Sequence, residues 1–105
     1  MKRLLLATAV LLQSSAFAQT VYGKIDCGQW LSDQGASRTQ NQAWVLGYLS
    51  GMNVGVNGAN DKDTLRKLNS MEQVFVWMDN YCRSNSLEKV RTGANQLFAE
   101  LERRR

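Results

Sequence analysis

From Ser70 onward the apolar positions recur at helical spacing. Met71, Val74, Phe75, Trp77, Met78, Tyr81 and Cys82 follow one another at three- and four-residue steps, which a period of about 3.6 residues gathers on one broad face. A face that wide predicts a central, heavily buried helix. Ser70 with Gln73 three residues on forms a capping box at its start. Arg83-Ser84-Asn85 places a cation and a residue tolerant of left-handed backbone where helices end. Ser86 then opens a fourth helix, whose stripe is Leu87, Val90, Ala94, Leu97, Phe98 and Leu101, with Glu88, Lys89, Arg91, Glu100 and Glu102 facing water.

Upstream the pattern is shorter and more polar. After an extended entry over 19–24, Asp26 caps a short helix that carries Cys27, Trp30 and Leu31 on one side. Gly35 breaks that helix, and Ser37 to Thr39 offer new starts. A second helix is predicted from about Gln40 to Val54, with Ala43, Trp44, Leu46, Tyr48, Leu49 and Met52 as its apolar residues. Gly47, Gly51 and Gly55 recur along it every fourth position, each costing about 1 kcal/mol against alanine. The expected return is close approach of another backbone within the domain, with a self-association face as the alternative. Residues 57–69 read as a polar loop with at most one helical turn near Thr64 to Leu68. Such a stretch is either a plain connector or a partner contact. The expected fold is all-α, a small bundle of about four helices.

The first eighteen residues have a separate reading. Lys2 and Arg3, the apolar run Leu4 to Leu12 and the exit Ala16-Phe17-Ala18 make a secretory leader with cleavage before Gln19. The apolar run is too short for a membrane span. Residues 19–105 then form one domain, expected to work in the periplasm. Without Lys2 and Arg3, eleven cations face nine acids, a formal charge of +2 in place of the whole chain's +4. Three of those cations are the terminal Arg103, Arg104 and Arg105. No basic stripe along a face points to nucleic acid.

Two cysteines and no histidine narrow the chemistry. In an exported chain Cys27 and Cys82 read as a disulfide. Closing a loop of that length stabilises a small domain by about 4 kcal/mol in the chain-entropy model. A histidine-dependent triad cannot be built, nor can the usual zinc ligand sets. Asn57, Asp61 and Asp63 loosely match a calcium loop but lack its glycine and its twelfth-position glutamate. No enzyme, metal or cofactor is expected.

Several motifs resemble known families. Cys27-Gly28-Gln29-Trp30-Leu31, Trp44, Gly47-Tyr48-Leu49-Ser50-Gly51 and Tyr81-Cys82-Arg83-Ser84-Asn85, followed by an amphipathic last helix, resemble the HdeA/HdeB family of small periplasmic acid-stress chaperones. That family often has Asn-Pro after its second cysteine, where this chain has Asn85-Ser86. The Gly47 to Gly51 segment and Ala94 to Leu101 are also similar to Tai-type periplasmic immunity proteins, which block cell-wall amidases, although those often arrange their cysteines differently. Both resemblances imply a non-catalytic protein that binds other proteins.

Three roles follow. As a chaperone, the chain would gain charge in acid, loosen a fold or a homodimer, and hold unfolding clients on apolar faces around Trp44, Tyr48, Phe75 and Trp77. As an immunity protein it would insert the loop bearing Asn57, Asp61 and Asp63 into an enzyme cleft. As a structural subunit of an envelope assembly it would dock through the glycine stripe or the basic tail.

Overall fold

The computed structural model describes residues 20–23 and 25–104, so the expected leader and cleavage site lie outside the described residues. Four helices carry the fold among the described residues: α1 (Cys27–Ser32), α2 (Gly35–Asn57), α3 (Met71–Ser84) and α4 (Val90–Arg103). Two 3-10 turns, Gly58–Asn60 and Thr64–Lys67, lie between α2 and α3, one more than the polar composition suggests. Among the described residues there are no strands beyond a single antiparallel bridge between Asp26 and Lys89.

The central helix is α3, as its apolar face requires. Val74, Phe75, Met78, Tyr81 and Cys82 are buried on it, between α1 on one side and α4 on the other. From α4 come Val90, Ala94, Leu97, Phe98 and Leu101, and from α2 Val45 and Leu49. Burying one such Leu or Val contributes about 1.5–3 kcal/mol. Cys27 is disulfide-bonded to Cys82, with the Cα atoms 4.9 Å apart. Both sulfurs lie in fully buried residues, so the bond joins α1 to the last turn of α3 inside the core.

Local chemistry explains most of the boundaries. The Asp26 carboxylate accepts the Gln29 N–H at 2.7 Å and caps α1 as expected. At α3 the expected capping box does not form, and Gln73 reaches one residue further back instead. Ser70 gives no side-chain cap, while the Gln73 amide oxygen accepts the Asn69 N–H at 2.7 Å. The Asn85 amide closes the other end by donating to the Tyr81 carbonyl at 2.9 Å. Asn85 does so without left-handed backbone, at φ −136°.

Two boundaries differ from expectation. Gly35 does not merely end α1: at φ +60° it is the first residue of α2, which runs on to Asn57. Glycine tolerates that backbone without steric cost. The last helix begins at Val90, not at Ser86. Cys27 N–H donates to the Glu88 carbonyl and Val90 N–H to the Ile25 carbonyl, at 2.9 and 3.0 Å. These bonds flank the bridge between Asp26 and Lys89 and keep Lys89 extended just before the helix, so Leu87 falls off the stripe and stands 95% exposed.

The glycine stripe of α2 needs a correction too. A Cβ placed on Gly47, Gly51 or Gly55 would meet nothing within 4 Å, so no backbone approaches there among the described residues. Close approach occurs at Gly93 on α4, where a Cβ would lie 2.7 and 2.8 Å from the Tyr81 ring and 2.9 Å from the Met78 methyl.

Candidate protein-binding surface

The long helix α2 has one charged residue, Arg38, in 23 positions. Its inner face carries Val45 and Leu49 into the core. The outer face, at steps of three and four residues, presents Ala36, Gln40, Ala43, Gly47, Ser50, Gly51 and Val54, all exposed. Val54 is 72% exposed. A helix face of this length without a charge is unusual for a surface, where polar and charged groups normally alternate.

A groove runs beside that face. Leu46, Leu49 and Ser50 from α2, Leu65 and Leu68 around the second 3-10 turn, and Asn69 to Met71 with Val74 from α3 line a hollow of about 340 Å³. Met71 is 62% exposed at its rim, because the first turn of α3 extends beyond the core. Leu65 and Leu68 are in place because the turn that bears them is tied down. Buried Asn57 donates its amide to the Thr64 hydroxyl at 2.6 Å and to the Asn53 amide oxygen at 3.0 Å. Asn53 also accepts the Thr64 N–H and donates to Asp63, at 2.9 and 2.8 Å. Lys67 donates to the Leu101 and Arg104 carbonyls at 2.8 and 2.6 Å, closing the end of α4.

The expected site residues fall in different places. Trp44 and Tyr48 do form a unit, with rings stacked at 5.1 Å and 12°. The Trp44 indole donates to the Tyr22 carbonyl at 2.9 Å, and the Tyr48 hydroxyl donates to the Asn95 amide oxygen at 2.6 Å. Both are half-buried. Trp77 stacks on Tyr81 at 5.5 Å and 8°, and with Leu68, Val76 and Leu97 it lines a second hollow flanked by Glu72 and Arg104. Phe75 is buried in the core and offers no surface in the folded state. Asn57 is likewise buried, at 2% exposure, and it serves the loop's internal clasp. Asp61 is exposed at the loop tip with φ +56°, and Asp63 pairs with Arg66 at 3.7 Å.

The groove residues Leu65, Leu68 and Met71 were not among the expected binding residues. Their signal in the sequence is weak: leucines inside a polar stretch and a methionine at a helix start suit a core equally well. Burial, then the negative charge of Glu88, push the Tyr81 phenol above its ordinary value. No grouping of three or more acidic, cysteine or histidine side chains suited to a metal ion occurs among the described residues. None of the helices among the described residues is long and apolar enough to cross a membrane. No protein-family model, curated protein or solved structure matches the chain.

Proposed function

We propose that this is a non-catalytic periplasmic protein-binding protein of the acid-stress chaperone class. The observation that carries the reading is the apolar groove between α2, the second 3-10 turn and α3, continuous along α2 with an uncharged face. Apolar concavities with a few polar groups at the rim suit side chains of another polypeptide. Acid supplies the switch. Carboxylates are largely protonated below about pH 3, which takes the side-chain charge of residues 19–105 from +2 towards +11 as nine acids are neutralised. Self-repulsion then loosens packing, while the bond between Cys27 and Cys82 limits how far the chain opens. The resemblance of Cys27 to Leu31, Gly47 to Gly51 and Tyr81 to Asn85 to HdeA/HdeB segments agrees with the same role. The test is light scattering from an acid-labile client at pH 2 to 3. Suppressed aggregation is expected; unchanged aggregation at a large molar excess would remove the chaperone role.

A second reading has its own observation. The loop between α2 and α3 is braced by the Asn53, Asn57 and Thr64 bonds and by Lys67, a rigidity that insertion into an enzyme cleft would use. As an immunity protein, the chain would bind and inhibit an exported cell-wall amidase at neutral pH through exposed Asp61 and its neighbours. Pull-down from periplasmic extract at pH 7 and again at pH 3 separates the two. One stoichiometric partner at neutral pH favours immunity, and a broad acid-dependent set favours the chaperone.

A further inference from the structure

The first part of α2, about two and a half turns, is built differently from the rest of the bundle. None of residues 35–43 is fully buried, and Val45 is the first residue of the helix that is. Helices in proteins owe most of their stability to packing of an apolar face, and this segment has almost none. Its own ends give little help. Gln34 makes no side-chain cap and the first turn has no acidic residue. Arg38 stands near the positive end of the helix dipole, where a cation is unfavourable. The opening bond from Arg38 N–H to the Gln34 carbonyl is long, at 3.5 Å.

Polar ties hold the segment instead. Arg38 pairs with Asp79 of α3 at 3.7 Å, and the Asn41 amide donates to Asp33, just after α1, at 2.8 Å. The next residue on this side, Trp44, is fixed by its stack on Tyr48 and its bond to Tyr22. Asp79 also accepts the Trp30 indole N–H at 2.8 Å. The tie therefore ends on the same carboxylate that closes the edge of Trp30, itself 2% exposed.

We infer that residues 35–43 form a strap that detaches from the bundle and re-docks as a unit. Val45 and all that follows stay in place, and the Cys27–Cys82 bond keeps α1 on α3. Lifting the strap parts Arg38 from the Asp79 carboxylate and leaves that carboxylate, still bonded to Trp30, facing solvent without unfolding the stapled core. Segments with few buried contacts and polar, half-exposed ties occupy the low end of the local stability range.

Hydrogen exchange on the oxidised chain at neutral pH tests this. Amides of 39–43 should exchange at least about tenfold faster, relative to their intrinsic rates, than those of 74–82 and 94–101. Asp33→Ala removes the tie to Asn41, and should speed strap exchange by a further three- to tenfold or so, the worth of one hydrogen bond, with α3 and α4 unchanged. Asp79→Asn, which keeps an acceptor for Trp30 and removes the charge facing Arg38, should act in the same direction. Strap amides exchanging at the rate of the core would overturn the inference. So would variants that speed exchange equally throughout, because the segment would then open only with the whole domain.

Discussion

Glycine placement gives a prediction in which the same substitution has opposite outcomes at two helical sites. At Gly93 an added methyl would sit 2.7 to 2.9 Å from the Tyr81 ring and the Met78 methyl. Tyr81 is buried and stacked against Trp77, so its ring has little room to yield, whereas the end of Met78 is flexible. Overpacking of this kind costs about 1–3 kcal/mol, set against a gain of about 1 kcal/mol from replacing a helical glycine. Gly51 has the same helical propensity to gain and nothing within 4 Å to strike. Gly51→Ala should therefore stabilise by about 1 kcal/mol. The difference between the two variants cancels the propensity and isolates the steric cost, about 1–3 kcal/mol in favour of Gly51→Ala. Urea unfolding of the oxidised proteins, followed by far-ultraviolet circular dichroism, reads the difference directly. Equal midpoints for Gly93→Ala and Gly51→Ala would refute the close approach of α4 to α3.

Other perturbations probe separate parts of the account. Reducing the Cys27–Cys82 bond should lower unfolding stability by about 4 kcal/mol, read as a shift in the urea midpoint with and without reductant. Asn57→Ala leaves Thr64 and Asn53 short of a buried partner and should cost about 1–3 kcal/mol in the same assay. Lys67→Met frees the Leu101 and Arg104 carbonyls; a loss near 1 kcal/mol should lower the melting temperature of so small a domain by roughly 4–8 °C. The raised pKa of Tyr81 means that the folded state favours the protonated phenol. Its contribution is fully present below the unfolded tyrosine value of about 10 and is lost as pH rises through the higher folded value. Absorbance titration at 295 nm should show one late tyrosine step that Tyr81→Phe removes.

Much of the fold was legible because periodicity reports burial. The apolar steps through α3 and α4 named their buried faces almost residue by residue, and Asp26 and the cysteine pair located α1. What failed was non-local. The start of α4 moved from Ser86 to Val90 because the backbone of 25–27 pairs with 88–90, a contact between distant segments that no local signal encodes. The α2 glycines suggested close packing by spacing alone, yet spacing cannot show whether another element is present over the stripe. Gly93 gave no spacing signal, and it is the helical glycine that another helix crowds. The binding residues divided in the same way. Trp44 and Tyr48 lie half-buried as a stacked pair, but Phe75 and Asn57 are buried, since helical spacing does not tell a core aromatic from a surface one, nor a polar clasp from a polar contact.

A photocrosslinking residue at position 71, at the rim of the groove, tests protein binding at its proposed place. Benzophenone-alanine there, mixed with an acid-labile client at about pH 3 and irradiated, should give a covalent chain–client adduct. The same residue at position 88, outside both hollows, should give little. No adduct at position 71, or equal yields at the two positions, would contradict a client-binding groove between α2 and α3.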